Sequence, residues 1–226
     1  MAFPIVATTA TSSRCSNDFG DVITMPASIA AGDLLIVVHA SDTGGGTRTW
    51  SGDFLELSDA STTCNVGVAY KFAAGGDTLT VTKSASERFS AIALRITGMH
   101  ATQAPEVAAD ATGTSANPDA GSLTASWGTE DNLWITWHGH DTTTTDTTIS
   151  VWPYASNQIE GPYCASAGEP NLSTKEAAAA TDDAGAWTIS ASLGWRASTI
   201  VVRPAAAATT AKASQCLVGS AAGWHP

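Results

Sequence analysis

Residues 31–41 read AGDLLIVVHAS, and this stretch decides the fold class of the chain. A turn signal at Gly32 and Asp33 leads directly into five apolar residues, 34–38. This run is far shorter than the roughly 20 apolar residues of a membrane-spanning helix, and its β-branched side chains favour a strand. A short apolar run that follows turn residues is typical of a strand buried on both faces. We therefore predict a central strand at residues 34–38.

The same plan recurs in residues 130–142, EDNLWITWHGHDT. The matching positions are Leu34 with Leu133, Ile36 with Ile135, His39 with His138, Asp42 with Asp141, and Thr43 with Thr142. A spacing of about a hundred residues is too long for the repeat of a solenoid. The chain is therefore expected to consist of two similar halves.

Apolar and alternating segments on either side of these stretches predict further strands in each half. They cover residues 3–9, 22–25, 54–57, 65–72, 78–82 and 88–98 in the first half, and 123–127, 133–138, 149–152, 186–190 and 196–203 in the second. Residues 196–203, RASTIVVR, align with residues 88–95, RFSAIALR. Residues 11–21 are polar and rich in turn formers, so a loop is expected there. Residues 173–180 fit either a helical turn or a strand edge.

The order of these segments predicts an all-β fold, an antiparallel β-sandwich of jelly-roll-like or immunoglobulin-like type with extended termini. The similar halves span about residues 1–100 and 121–204, and residues 101–120, rich in Ala, Thr, Asp and Pro, are the predicted linker. Two sandwiches in tandem are the alternative. One sandwich over residues 1–204 is preferred because both central strands need cover on both faces.

The composition narrows the classes of function. The net charge is −11 and only 14% of the residues are charged, so no basic stripe exists to neutralise nucleic-acid phosphates. The first ten residues lack the basic and long apolar regions of a secretory signal, and no stretch is long and apolar enough for membrane insertion. We therefore expect synthesis in the cytoplasm and no binding of nucleic acid.

The four cysteines are Cys15, Cys64, Cys164 and Cys216. None belongs to a CxxC pair, which argues against a zinc site. Cytoplasmic synthesis argues against disulfides. Free and mostly buried thiols are therefore expected.

Residues 138–141, His-Gly-His-Asp, are the most site-like cluster in the sequence. On a strand, His138 and His140 share a face, so two imidazoles with Asp141 nearby are candidate metal ligands. The alternative is a set of hydrogen-bonded histidines at the end of a strand. No GxSxG motif and no distinctive carboxylate pair occurs, so we predict neither an enzyme nor a bound cofactor.

Eight tryptophans raise a carbohydrate-binding hypothesis, because exposed aromatic rings stack on sugars. Most of them fall in predicted strands, where they fill the core. Trp50 and Trp152, beside the loops at residues 42–48 and 142–148, are the candidate glycan contacts. Either loop would then recognise a host-surface glycan.

Residues 205–226, AAAATTAKASQCLVGSAAGWHP, differ from the rest of the chain in being rich in small residues. Such a segment is expected to be mobile on its own and to order against a partner. Its large or reactive side chains, Cys216, Leu217, Val218 and Trp224, are the predicted assembly contacts.

The order of motifs resembles a β-sandwich family common among structural proteins of tailed phages and also found in bacterial surface proteins. The motifs are GDLLIVVHA, a loop, Trp50, AYKFAAGGDTLTVT and SAIALRITG in the first half, then DNLWITW and VVRP in the second. The resemblance covers roughly residues 20–204. The family's usual GWT signature is Thr49-Trp50-Ser51 in this chain.

The resemblance implies a virion protein that decorates the capsid or forms part of a fibre or tail. Its expected partners are other virion proteins and copies of itself, with attachment through the termini. The alternative is a carbohydrate-binding or adhesin module for host-surface attachment.

Overall fold

The computed structural model describes residues 2–42, 46–61, 64–142 and 146–207. Every regular element in these ranges is a β-strand, which confirms the predicted all-β class. The strands are β1 (Ile5–Ile23), β2 (Leu34–Ser41), β3 (Arg48–Trp50), β4 (Leu55–Ser61), β5 (Asn65–Phe72), β6 (Leu79–Thr97), β7 (Glu106–Val107), β8 (Ala111–Ser115), β9 (Leu123–Thr124), β10 (Glu130–Asp141), β11 (Ile149–Val151), β12 (Ser156–Glu160), β13 (Gly168–Ala179), β14 (Thr181–Asp182), β15 (Thr188–Ile189) and β16 (Leu193–Val202). The described part holds no helix that could cross a membrane.

Each half of the chain builds one antiparallel sheet. Sheet 1 has the order β1-β6-β2-β5-β4, with β3 also paired to β6. Sheet 2 has the order β12-β13-β10-β16-β7, with β8 also paired to β16. The repeated stretches are therefore the central strands β2 and β10, as their apolar runs predicted, and they are buried along all of β2 and most of β10.

The two sheets pack face to face, and their inner faces form one hydrophobic cluster. Side chains alternate along each strand, so every second residue of β2 and of β10 points into this core. These residues are Leu34, Ile36, Val38 and Ala40 on β2, and Leu133, Ile135 and Trp137 on β10. Neither half alone could cover its apolar face, so the halves fold onto each other.

Two buried residues, Gly139 and Arg196, hold the sheets close together at one end. Gly139 of β10 faces Val66 of β5, and a Cβ at residue 139 would lie 2.4 Å from Val66 Cγ2. Arg196 of β16 crosses between the sheets and donates hydrogen bonds to the main-chain oxygens of Ala60 and Val66. Its guanidinium also pairs with Asp110. Close approach and buried hydrogen bonding thus fix the separation of the sheets.

Several sequence predictions about elements are wrong. Residues 11–21 continue β1 as a 19-residue strand instead of forming a loop. The strands predicted at residues 78–82 and 88–98 are confirmed as strand, but they are joined in one strand, β6 (Leu79–Thr97). The predicted linker contains β7 and β8, which pair with β16. For residues 173–180 the strand alternative is confirmed and the helical turn is not, because residues 173–179 belong to β13. Residues 11–18, 83–87 and 111–115 are rich in small and polar side chains and carry no apolar pattern, so the sequence does not predict them as strand.

The pairing register also corrects the alignment of the halves. His39 of β2 lies opposite Ala91, and His138 of β10 lies opposite Ala197. The sequence alignment that matched Arg88 with Arg196 is therefore shifted by two residues. An even shift keeps every side chain on the same face, and Arg88 also reaches the other half, donating to Ala165 O at 2.5 Å.

The expectation of free thiols is wrong for two cysteines. Cys15 of β1 and Cys164, in the connection before β13, form a disulfide with a Cα–Cα distance of 5.4 Å. They are 149 residues apart, and only the facing of the two sheets brings them together. Cys64 is a free, buried thiol whose pKa burial raises to about 12. Cys216 lies outside the described residues.

Candidate functional site

The outer face of each sheet is covered at one end by a short β layer, here called a flap. The flap of sheet 1 consists of β3 and residues 79–83 of β6, and the flap of sheet 2 consists of β11 and β15. The repeated histidines lie beneath these flaps, and both are fully buried. His39 stacks on Phe89 at 5.4 Å, and His138 meets the edge of Trp187 at 4.4 Å. The two halves thus enclose a histidine at equivalent places.

His39 sits in a complete hydrogen-bond chain. Arg48 Nε donates to His39 Nδ1 at 3.0 Å, so the remaining ring nitrogen, Nε2, carries the proton and donates to Asp21 Oδ2 at 2.9 Å. Burial lowers the pKa of His39 to about 4, against the opposing effect of Asp21. The ring is therefore neutral at pH 7 and serves to orient its two charged neighbours.

Asp21 is the centre of a larger group, the Asp21 cluster, which consists of Arg14, Asp21, His39, Lys83 and Glu87. Asp21 is fully buried and also contacts Arg14 Nη2 at 2.5 Å and Lys83 Nζ at 2.7 Å. Lys83 Nζ donates to the main-chain oxygen of Glu87 at 2.7 Å. Three cationic or proton-donating side chains thus converge on one carboxylate.

Sequence reasoning missed the Asp21 cluster. One signal was present: Leu79, Val81 and Lys83 alternate along the segment TLTVTK, so a lysine occupies a position of the buried face. Asp21 gave no such signal because its segment was predicted to be a loop.

The second buried group, the Glu169 cluster, consists of His138, His140, Glu169 and Asn171 beneath Trp187. His140 Nδ1 lies 3.2 Å from His138 Nε2, and Asn171 Nδ2 lies 3.4 Å from Glu169 Oε1. His140 Nε2 and Glu169 Oε2 are 3.7 Å apart, too far for a hydrogen bond. One polar atom of each of the four side chains has no hydrogen-bond partner among the described residues.

Burial makes the Glu169 cluster neutral. It lowers the pKa of His138 far below its ordinary value, a direction that His140 reinforces, and lowers that of His140 to about 4. It raises the pKa of Glu169 to about 8, with a further contribution from Asp146. At pH 7 the imidazoles are uncharged and the carboxyl group is mostly protonated.

The candidate metal ligands do not converge. His138 and His140 share the outer face of β10, as predicted, but alternation places Asp141 on the other face. Burial and the charge of Asp42 raise the pKa of Asp141 to about 6. Within the described ranges, no three His, Cys, Asp or Glu side chains are arranged to hold a metal ion.

The candidate glycan contacts are both half-buried against their own flaps. Trp50 packs on the apolar cluster of the outer face of sheet 1, and its ring meets the edge of His39 at 6.2 Å. Trp152 lies 5.1 Å from Trp187. The predicted assembly residues, Cys216, Leu217, Val218 and Trp224, lie outside the described residues.

A cavity of about 530 Å³ opens beside sheet 2, immediately after Trp152 in the chain. Tyr154, Thr174, Lys175, Glu176 and Asp183 contribute to its wall. Lys175 lies over the ring of Tyr154 at 5.0 Å, and both side chains contact Asp182. The cavity is thus polar and lined by charges of both signs.

No protein-family model, curated protein or solved structure matches this chain.

Proposed function

We propose that the chain is a structural component of a tailed-phage virion, a non-enzymatic β-sandwich that decorates the capsid or forms part of a head or tail appendage. The observation that carries the proposal is the way the halves are joined. Each half supplies one sheet, and a common core, the buried guanidinium of Arg196 and the Cys15–Cys164 disulfide connect the two. Such a body resists local opening, as a particle's outer protein must.

The disulfide supports a location outside the reducing cytoplasm. Disulfides persist on virions, on cell surfaces and in secreted proteins, and they are rare in proteins that function in the cytosol. Cys15 lies on the edge strand β1, where its residue is exposed. This location agrees with a virion protein and also with the bacterial surface proteins of the resemblance.

The buried clusters favour a structural role over a catalytic one. The histidines of both clusters are enclosed beneath the flaps and are neutral at pH 7. A general acid or base works best when its pKa lies near the operating pH and a substrate reaches it. Enclosed, neutral rings instead hold neighbouring side chains in place.

One edge of sheet 1 offers a surface for assembly. Strand β1 is a terminal strand of the sheet and is 19 residues long, and Ile5, Phe19 and Val22 on it are exposed. A long edge with exposed apolar side chains readily pairs with another chain. The proposed partners are copies of this chain and other virion proteins.

The test is to compare the full chain with a variant that ends at Ala207. This truncation keeps the hydrogen bond from Ala205 N to Gly98 O and removes Cys216, Leu217, Val218 and Trp224. We expect the full chain to form a defined oligomer in light scattering coupled to size exclusion. The truncated chain should be monomeric, because in the proposed assembly the edge of β1 receives the tail of a neighbouring copy. It should unfold at the same temperature, because the sandwich core is intact. A monomeric full chain, or a truncation that lowers the unfolding temperature strongly, would contradict the proposal.

The alternative is a carbohydrate-binding module, and the polar cavity whose wall includes the ring of Tyr154 favours it. Sugar sites combine an aromatic ring with convergent polar groups, and Lys175, Glu176 and Thr174 supply such groups here. A glycan array distinguishes the two functions. Binding that is lost in Lys175→Ala or Trp152→Ala, by a chain that stays monomeric, would favour the adhesin.

A further inference from the structure

Lys83 and Asp21 are a lysine and an aspartate in direct contact inside the protein. Asp21 of β1 pairs with Val81 of β6, which places Lys83 two residues farther along the adjacent strand. The Lys83 Nζ and Asp21 Oδ2 atoms are 2.7 Å apart, and the exposed fractions of the two side chains are 1% and 0%. The amine thus touches the carboxyl group whose carbon it would attack, and both groups are shielded from bulk solvent, which is the proximity that bond formation requires.

The amine is in a setting that favours its neutral, nucleophilic form. Burial lowers the pKa of Lys83, although the hydrogen bond to Asp21 opposes this shift. The ring of Phe89 lies 5.7 Å from Nζ and helps to exclude water. Lysines act as nucleophiles in proteins when they are desolvated in this way.

The side-chain carboxylate of Glu87 is buried without a hydrogen bond from any described residue. The residue is only 5% exposed, and neither of its side-chain oxygens has a hydrogen-bond partner among the described residues. Its main-chain oxygen already accepts a hydrogen bond from Lys83 Nζ, so the carboxylate lies on a residue in contact with the amine. An unpaired buried carboxylate is costly and calls for an explanation, and a role in proton transfer to and from the adjacent amine supplies one.

The two oxygens of Asp21 are held by different donors. Arg14 Nη2 contacts Oδ1 at 2.5 Å, and His39 Nε2 contacts Oδ2 at 2.9 Å. Hydrogen-bond donors at a carboxyl oxygen stabilise the negative charge that develops there when a nucleophile attacks the carbon. Arg14 is placed for that role at Oδ1. His39 is placed beside Oδ2, the oxygen nearest to the amine.

We infer that Lys83 and Asp21 form an intramolecular isopeptide bond, an amide between Lys83 Nζ and Asp21 Cγ. In the reaction the Lys83 ammonium gives one proton to Glu87, and the neutral amine attacks Asp21 Cγ while Glu87 passes that proton to Oδ2. Glu87 then takes a second proton from the nitrogen and gives it to Oδ2, so the Cγ–Oδ2 bond breaks, one water molecule leaves and Glu87 is a carboxylate again. The balance is one ammonium and one carboxylate giving one amide and one water, with no oxidant or reductant. Oδ1, held by Arg14, becomes the amide oxygen.

The bond joins two strands that carry the flap of sheet 1. Residues 20–23 of β1 pair with residues 79–82 of β6. The earlier part of β1 pairs with residues 89–97 of β6, the stretch of β6 that also pairs with β2 on its other side. A covalent link here closes the chain between residues 21 and 83, and it prevents β1 from peeling away under load. This property suits the proposed structural role but does not depend on it.

The experiment is the mass of the intact, full-length chain after reduction of the disulfide. We expect a mass lower than that of the sequence by one water molecule, and a protease digest with one branched peptide that contains both Lys83 and Asp21. Asp21→Asn should form the same link with loss of ammonia instead of water. Glu87→Gln should keep the full mass while its circular dichroism shows a folded β protein.

The wild-type mass is decisive even if a variant fails to fold. A full mass with separate peptides for residues 21 and 83 would overturn the inference and leave an ion pair only. A loss of water that maps to any other residue would also overturn it. The chain has no Asp-Gly or Asn-Gly dipeptide, the sequences at which cyclisation of the backbone would mimic this loss most readily.

Discussion

At the scale of single residues, the two halves bury polar side chains in different ways. In the Asp21 cluster the imidazole uses both ring nitrogens, one toward Arg48 and one toward Asp21. In the Glu169 cluster each side chain leaves one polar atom unpaired among the described residues. Burial therefore drives the second cluster to neutrality through its pKa values, whereas in the first the donors on Arg14 and His39 satisfy both oxygens of Asp21.

Glu169→Gln should remove a specific pH dependence of stability. The pKa of Glu169 is about 8 in the folded chain and 4.5 is its ordinary value, so between these pH values the folded state holds a proton that the unfolded state has lost. Stability contributed by this group therefore falls as pH rises from 4.5 to 8. We expect the variant to lose less stability than wild type between pH 6.5 and 8 in urea unfolding.

Between pH 6.5 and 8 the buried histidines change the free energy of unfolding little, because their lowered pKa values place their effect at more acidic pH. Glu176→Gln is the matched control, because Glu176 is an exposed residue of the same strand. Its unfolding should follow the wild-type pH profile. Parallel loss of stability in wild type and Glu169→Gln would show that Glu169 is ionised in the folded chain.

Arg196→Met should destabilise the fold strongly. The substitution removes the hydrogen bonds to Ala60 O and Val66 O and the ion pair with Asp110, which keeps its hydrogen bond from Ser58. A buried acceptor that loses its donor costs about 1–3 kcal/mol, and two are left here. Chemical unfolding measures this loss. Arg88→Met is the control, since Arg88 is less buried, and it should cost clearly less; equal losses would contradict the role of Arg196.

At the scale of elements, the sequence predicts a strand where the side chains that the strand buries are apolar. Strands β2, β5, β10 and β16 were predicted because their buried side chains are apolar. Strand β1 was largely missed because Thr and Ser dominate it, and those residues also suit loops. Its strand conformation comes from pairing with β6 over nearly its whole length, which no local pattern reports.

The flaps are likewise a product of pairing. In sheet 1 one continuous strand, β6, enters both the sheet and its flap, whereas in sheet 2 the corresponding residues are divided between β15 and β16. The repeat in sequence thus predicted matching central strands. It did not predict that each pair of outer segments would cover a histidine.

At the scale of the whole molecule, the disulfide joins an edge of sheet 1 to sheet 2. Cys15→Ser should therefore destabilise the chain by about 3–5 kcal/mol, because the bond closes a long loop in the unfolded chain. Urea unfolding of Cys15→Ser, Cys164→Ser and the double variant measures this loss in the free energy of unfolding. All three should show the same loss, and reduced wild type should match them. A double variant as stable as oxidised wild type would contradict the expectation.

The sequence by itself determined the all-β class, the two similar halves, the central strands and the shared face of His138 and His140. These features follow from periodicity and composition, which act on neighbouring residues. Only the tertiary structure decided which residues meet across the two sheets and beneath the flaps: Cys15 with Cys164, Lys83 with Asp21, and Arg196 with Val66 O. Such contacts join residues far apart in sequence, and their partners are selected by the register and facing of the sheets, which local pattern does not encode.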